Sequence, residues 1–334
     1  MKSRVSVPHE SNLARGYVIA LSSAAILSTT AIFIRHLTQA YHMPPLALAF
    51  WRDVFVTVTL VCVLGLFYPI LLQVKRQHLF YLVFYGLTLA VFNASWTLSV
   101  SLVGAAIATV LVYCSAGFTA LLGWWLLKER LDWVKLVAIG FSLGGCLLVS
   151  GALQAEAWRS SLPGVVMGVF SGLCYSIYTL MGRTAAKRGL NPWTTLFYTF
   201  GFAALFLLLC NVLPAGLLTG VETGPGNIFY LNNDLGGWSL LFLLAAGPTV
   251  TGYGLYMVSL GYLPSSVANL IVTVEPVFTA ALAYGLLGEH LTGMQLGGGL
   301  MILVGVGALR MHEGRMERQA MTERLAEATG SRAD

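Results

Sequence analysis

Charged residues are scarce in this 334-residue chain, which is 10% Asp, Glu, Lys and Arg. A soluble domain carries roughly 25%. Hydrophobic residues make up 57% of the chain, and its mean hydropathy is +0.77. This composition excludes an ordinary soluble domain and predicts a protein of the lipid bilayer. The net charge of +5 has no basic patch interleaved with aromatic residues, so nucleic acid is not an expected partner.

The motifs of membrane-embedded enzymes are also absent from the sequence. It contains no HExxH pair, no nucleophile elbow and no phosphate-cradling loop. The five cysteines lie within apolar segments, their number is odd, and no spacing indicates zinc, so neither a disulfide framework nor a metal site is predicted. An enzyme is therefore the less favoured class of function, and no cofactor is expected.

Ten apolar segments are long enough to cross a bilayer, which takes about 20 residues. Only helices are predicted, because barrel strands would be short and alternating in polarity. The fold class is thus an all-α polytopic membrane protein with ten transmembrane helices. The segments are Gly16–Leu37, Leu46–Leu71, Leu79–Ser99, Gly104–Leu127, Val134–Gly151, Gly164–Gly182, Thr194–Leu213, Trp238–Tyr262, Ser265–Leu287 and Gly293–Leu309.

Basic residues concentrate at alternate ends of these segments. Lys75 and Arg76 mark one such end, and Lys128 and Arg130 mark another, whereas the loop Ala215–Gly237 has no Lys or Arg. Because basic residues stay on the cytoplasmic side, this bias predicts a multi-pass protein of the cell (inner) membrane with both termini in the cytoplasm. Residues 1–15 and the charged tail 310–334 are then cytoplasmic.

The chain repeats itself. A shift of 148 residues aligns the first two segments with the sixth and seventh, and pairs Pro44 with Pro192. A shift of 160 aligns the third to fifth segments with the eighth to tenth, and pairs Glu129 with Glu289. The repeats cover residues 16–151 and 164–309. Five spans are an odd number, so the two repeats are expected to be inverted in the membrane, as in many secondary transporters.

Three stretches carry a family resemblance. LALAFWRD in the second segment and SLGYLPSSVANLIVTVEPVFTAALAYGLLGEHLTGMQLGGGLMILVGVGAL over the last two resemble EamA-type members of the drug/metabolite transporter superfamily. TALLGWWLLKERLDWVKLVAIGFSLGGCLLVSG is similar to the same signature in the first half. The resemblance covers about residues 14–312. It implies ten helices in inverted five-helix repeats, a central cavity and export of metabolites, amino acids or drugs.

Glu275 is the main candidate for the function, because it lies inside an apolar span with Pro276 directly after it. A carboxylate at that depth costs about 2.5–3.5 kcal/mol on insertion scales, and such groups often serve an ion, a proton or a substrate. Pro276 has no N–H and clashes with the carbonyl of Val272, so the helix is predicted to bend or open beside the acid. Packing against a neighbouring helix is the alternative for Glu275.

Polar and aromatic pairs occur at matching places in the two repeats. Their spacing of three or four residues puts each pair on one helical face. Rings with polar tips suit a cavity for amphipathic or aromatic solutes, although interfacial belts use the same residues. The predicted lining residues are Asn93, Trp96, Tyr113, Tyr253, Tyr256 and Asn269.

Three further features complete the prediction. Arg52 has Phe200 as its counterpart, so this unduplicated charge pairs with Asp53, Glu275 or a substrate carboxylate, or else reaches to the surface. Pro248 leaves the carbonyl of Leu244 unpaired, either as a ligand or in a kinked packing helix. Glycines four apart allow close packing within the bundle or in a homodimer.

The sequence therefore predicts an exporter of small metabolites that works by alternating access and is either proton-coupled or facilitative. The alternative is a flippase or exchanger for a lipid-linked or nucleotide-linked sugar. Glu129 and Glu289 are predicted to stabilise the start of the helix that follows each of them.

Overall fold

The computed structural model describes residues 10–103, 105–149, 162–212, 228–287 and 292–330, and within these ranges the regular structure is helical. A short 3₁₀ turn spans Pro69–Leu72, and a π-helical turn spans Ala245–Thr249. The helices are α1 (Glu10–Gln39), α2 (Pro45–Phe67), α3 (Arg76–Val103), α4 (Ala105–Tyr113), α5 (Ser115–Leu127), α6 (Trp133–Val149), α7 (Leu162–Lys187), α8 (Pro192–Val212), α9 (Leu235–Leu244), α10 (Val250–Tyr262), α11 (Ser265–Val272), α12 (Glu275–Leu287) and α13 (Gly293–Gly330).

Seven helical stretches of the described chain are long and apolar enough to cross a membrane. Three shorter apolar stretches, Trp133–Leu148, Ser265–Thr279 and Gly293–Leu309, fall where the fifth, ninth and tenth spans were predicted. In lipid, a helix satisfies its backbone groups internally, which explains the helical form of the apolar segments. The seven long stretches are Leu13–Thr38, Pro45–Phe67, Arg76–Val100, Val110–Leu127, Leu162–Lys187, Pro192–Val212 and Leu235–Tyr262.

Local signals in the sequence set several helix ends. Pro45 opens α2 at a position where its missing N–H costs nothing. Asp234 caps α9, because its side chain accepts hydrogen bonds from the backbone N–H groups of Gly236 and Gly237. Lys128 ends α5 in the left-handed region, with φ of 56°. These caps place the connections at the ends of the bundle.

The helices of the two halves pack against each other in matching pairs. α1 packs along α10, and α7 packs along α3. α1 also packs on α11 and α12, just as α7 packs on α4 and α5. Further contacts between the halves join α2 to its counterpart α8, α6 to its counterpart α13, and α3 to α8. The hydrophobic core therefore forms largely between the halves rather than within each one.

Two spans are broken near their middle. The predicted opening beside Glu275 is confirmed, because α11 ends at Val272 and α12 begins at Glu275. The fourth span, predicted as continuous, is also broken between Tyr113 and Ser115, 160 residues earlier. That break has no proline. Instead, the hydroxyl of Ser176 on α7 donates to the carbonyl of Ser115 over 3.0 Å.

Glu129 corrects another prediction. It was expected to stabilise the start of the next helix, α6, but its carboxylate binds the N-terminus of α11 in the other repeat. The backbone turn at Lys128 directs the chain back toward α11, which sequence neighbourhood alone does not reveal. Glu289, its counterpart, lies outside the described residues.

Candidate functional site

Glu275 lies at the first position of α12, directly after the break. The chain crosses the break in tight turns, with the backbone N–H groups of Thr273 and Val274 donating to the carbonyls of Leu270 and Ile271 over 3.1 and 3.0 Å. A carboxylate at this place is near the positive end of the α12 dipole. The glutamate is half-buried.

The hydroxyl of Tyr113 hydrogen-bonds the carboxylate of Glu275. Tyr113 is buried and is the last residue of α4, so it lies at the equivalent break of the first half. The two breaks therefore meet, and the acid of one repeat is held by a neutral phenol of the other. A neutral partner leaves the charge of Glu275 available to a proton or a cation.

Arg52 forms a closed network with Asp53 and Asn93. Its Nε and Nη2 atoms lie 3.4 Å from Oδ1 of Asp53, and Nη2 donates to Oδ1 of Asn93 over 3.0 Å. Nδ2 of Asn93 donates to Oδ2 of Asp53 over 3.1 Å. Arg52 is 6% exposed and Asp53 is fully buried. Of the alternatives for Arg52, the structure therefore shows pairing with Asp53 and not an extension to the surface.

Tyr253 connects the two charged groups. Its hydroxyl lies within electrostatic range of Arg52, Asp53 and Glu275. Its ring meets that of Phe200 edge-on, with the centroids 5.4 Å apart. The hydroxyl of Tyr253 is therefore close enough to the arginine network and to the glutamate to be influenced by both.

A second polar network lies around Asn269 on α11. Oγ of Ser115 donates to Oδ1 of Asn269 over 3.1 Å, and Nδ2 of Asn269 donates to Oγ1 of Thr179 over 3.3 Å. The hydroxyls of Thr179 and Tyr256 are 2.8 Å apart. This network links the first-half break to α7, α10 and α11, so it couples elements of both repeats.

Aromatic rings surround these polar groups. Tyr175 is stacked with Tyr256 at a centroid distance of 6.2 Å, and Tyr178 meets Tyr253 edge-on at 6.3 Å. Tyr175 and Tyr178 are buried and were not among the predicted residues. Their spacing of three residues within an apolar span places both on one helical face, which was the available signal.

Trp96 differs from the other predicted lining residues. It is half-buried and packs at the margin of the main hydrophobic core, one helical turn beyond Asn93. The structure therefore brings Asn93, Tyr113, Tyr253, Tyr256, Asn269, Arg52 and Glu275 into linked networks and places Trp96 beside them.

The prediction for Pro248 was wrong in one respect. The π-helical turn contains this proline, but the carbonyl of Leu244 is not left without a partner. The hydroxyl of Thr249 donates to it over 2.9 Å. The local side chain takes the role of the missing N–H. This favours a kinked packing helix over a carbonyl ligand.

The EamA-like transporter family model matches this chain twice, over residues 14–151 and 162–311. The chain belongs to the EamA-like transporter family. A probable amino-acid metabolite efflux pump of Salmonella typhimurium (strain LT2) is 28% identical over 272 residues, which cover 80% of this chain and 85% of that protein. The threonine/homoserine exporter RhtA of Salmonella typhimurium (strain SL1344) is 28% identical over 239 residues, covering 70% and 72%.

A solved crystal structure has the same fold as this EamA-like protein. It superposes with a TM-score of 0.73, covers 91% of this chain and 99% of its own, and is 15% identical. With the apolar helices, the family makes this chain a multi-pass membrane protein of transporter type. Among the described residues, no group of three or more His, Cys, Asp or Glu side chains is placed to hold a metal ion.

Proposed function

We propose that this EamA-like protein is a secondary transporter that exports small metabolites, with amino acids and aromatic compounds favoured. The family and the two named Salmonella proteins support this class of function. Residues 16–151 and 164–309 form two inverted five-helix repeats, and rocking between them exposes the site alternately to each side. The pairing of α1 with α10 and of α7 with α3 supports this architecture.

The observation that carries the proposal is the meeting of two helix breaks at the half-buried acid Glu275. Tyr113 and Glu275 lie at equivalent breaks of different repeats and share a hydrogen bond. A relative movement of the repeats necessarily alters that contact. The acid is therefore located where binding and conformational change can be coupled.

The charges around the site indicate which groups a substrate presents. Arg52 is compensated by Asp53 and Asn93, whereas the carboxylate of Glu275 accepts a hydrogen bond from the neutral Tyr113. An ammonium group or a proton therefore binds at Glu275. A substrate carboxylate takes a place on Arg52, with the ring of Tyr253 between the two ends. Trp96 and Asn269 complete the proposed set.

The membrane orientation is part of the same proposal. Both termini lie in the cytoplasm of an inner-membrane protein, and the connection that carries Asp234 lies outside. The basic residues Lys75, Arg76, Lys187 and Arg188 support this orientation. The tail is helical as far as Gly330 and continues α13 beyond the apolar part of that helix.

Transport by purified protein in liposomes tests the proposal. Uptake of radiolabelled amino acids, aromatic amines and a nucleotide sugar is measured with and without an imposed proton gradient. Glu275→Gln keeps the shape of the side chain but binds no proton. If Glu275 couples protons, the variant keeps exchange and loses gradient-driven accumulation.

Each alternative has a distinct result in the same assay. If Glu275 binds an ammonium group, exchange itself falls in the Gln variant. Transport of the nucleotide sugar alone would favour the exchanger or flippase. A Gln variant with unchanged binding, exchange and accumulation makes Glu275 a packing residue and refutes its assigned role.

A further inference from the structure

Glu129 joins the two repeats at one end of the bundle. Lys128 ends α5 in the left-handed conformation, and the backbone N–H of Glu129 then donates to the carbonyl of Gly123 over 3.1 Å. This turn folds Glu129 back against the end of its own helix. A Cβ atom on Gly123 would lie 2.9 Å from Oε2 of Glu129, so the glycine leaves the space that the carboxylate fills.

The carboxylate of Glu129 accepts four hydrogen bonds from the start of α11. Oε1 accepts from the backbone N–H and the hydroxyl of Ser265, each over 2.7 Å. Oε2 accepts from the backbone N–H and the hydroxyl of Ser266 over 3.2 and 2.8 Å. Bonds to an ionised acceptor are stronger than neutral ones, and a negative charge suits the positive end of a helix.

The positively charged Arg183 binds the C-terminal end of α10, the helix that precedes α11. Nη1 of Arg183 donates to the carbonyls of Leu260 and Gly261, in the last turn of α10, over 2.6 and 3.1 Å. Arg183 also lies within electrostatic range of Glu129. The short connection between α10 and α11 is thus fixed by a positive group at the negative helix end and a negative group at the positive helix end.

We propose that Glu129 is a latch that keeps the cytoplasmic entrance of the transporter closed. The inference rests on the proposed function, because it assumes alternating access and the orientation in which Lys128 and Arg130 are cytoplasmic. Glu129 belongs to the first repeat, and α11, which carries Asn269 and leads to Glu275, belongs to the second. The two repeats separate at this end only if the four hydrogen bonds break.

The chemistry of the latch predicts a graded series of variants. Glu129→Ala removes all four bonds. Glu129→Gln also opens the latch, because the amide nitrogen faces two donors and accepts from neither. The double variant Ser265→Ala, Ser266→Ala removes the hydroxyl bonds and leaves the backbone bonds, so its effect is intermediate.

The chemical labelling of Cys114 reports whether the cytoplasmic entrance is open. Cys114 lies at the break of the fourth span beside Tyr113 and is half-buried. The other four cysteines are replaced, and labelling by a membrane-impermeant methanethiosulfonate is timed in right-side-out and inside-out vesicles. Asp234→Ala is the matched control. Asp234 is also a carboxylate that caps a helix, but it caps its own helix, α9, and joins no second repeat.

We expect Glu129→Gln to raise the cytoplasmic-side labelling rate of Cys114 about tenfold, equivalent to about 1.4 kcal/mol. The double serine variant gives a smaller rise, and Asp234→Ala gives none. A wild-type rate in both Glu129 variants, or an equal rise in Asp234→Ala, overturns the latch. If the Glu129 variants do not fold, the serine variant decides, and a wild-type rate there overturns it.

The assay separates this inference from the proposed function, because labelling requires no substrate. If the protein transports nothing but shows the graded labelling, the latch is supported and the proposed function is refuted. If the protein exports amino acids but every variant is labelled at the same rate, the proposed function is supported and the latch is refuted.

Discussion

Neutralising Asp53 alone should lower the free energy of unfolding more than neutralising Asp53 and Arg52 together. Asp53→Asn leaves the guanidinium of Arg52 buried without a counter-ion. The double variant Arg52→Gln, Asp53→Asn contains two amides that can still hydrogen-bond each other and Asn93. The comparison therefore isolates the cost of an uncompensated charge from the loss of two side-chain contacts.

The structure sets the size of the effect. Breaking a buried ion pair by removing one partner costs about 3–5 kcal/mol. The 3.4 Å contacts between Arg52 and Asp53 are longer than the roughly 2.7–2.9 Å of strong charged bonds, which places Asp53→Asn near the lower end of that range. The double variant exchanges charged bonds for neutral ones and should cost about 1 kcal/mol.

Unfolding in mixed detergent micelles, followed by circular dichroism, measures these free energies for Asp53→Asn and for the double variant. Asp132→Asn is the control, because Asp132 and its hydrogen-bond partner His312 are partly exposed, at 34% and 25%. It should cost less than about 1 kcal/mol. If Asp53→Asn is no less stable than the double variant, the buried pair does not compensate Arg52 and the reasoning fails.

Three further predictions follow from the helix breaks, the proposed orientation and the pairing of Asp132 with His312. A Cβ on Gly172 would lie 3.1 Å from two carbonyl oxygens at the break between α4 and α5, whereas a Cβ on Gly140 would enter open space. Gly172→Ala should therefore lower the melting temperature, and Gly140→Ala should not. Equal melting temperatures of the two variants would contradict this prediction. A cysteine replacing Asp234 in a cysteine-free background should react with an impermeant reagent only from outside, and reaction only from the cytoplasmic side would refute the inverted repeats. Burial raises the pKa of Asp132, but the hydrogen bonds and charges of His312 and Lys135 together outweigh it and hold the pKa below its ordinary value of 3.8. The stabilisation is therefore present above about pH 4 and lost as the pH falls through the lowered pKa. The difference in stability between wild type and Asp132→Asn should then shrink on acidification. A difference that grows instead would contradict the pairing of Asp132 with His312.

The course of the chain was largely predictable, because bilayer thickness and backbone hydrogen bonding leave few choices for long apolar segments. Pro276 also predicted the break beside Glu275, because a proline disturbs a helix through its own missing N–H. The equivalent break after Tyr113 has no such signal. Ser176 supports it from α7, and a contact between distant helices is invisible in a local pattern.

The polar site was predictable only in part, because the sequence identifies polar side chains within apolar spans but not their partners. A charged or amide side chain inside an apolar span must find a partner, which singled out Arg52 and Asn93. Which partner it finds depends on tertiary packing. Glu129 shows the limit most clearly, because the helix that follows it in sequence is α6 and its actual partner is α11.

The two repeats share their geometry but not their chemistry. Both contain a broken helix at positions that differ by 160, yet Ser115 stands in the first where Glu275 stands in the second. Likewise, Arg52 and Asp53 correspond to Phe200 and Gly201. Under the proposed alternating access, a symmetric frame gives inward-facing and outward-facing states of similar packing and therefore of similar free energy. Because the acid is present in single copy, two like carboxylates do not meet at the breaks, where their repulsion would disfavour ionisation of both. The described chain thus duplicates its backbone breaks and carries these charges once.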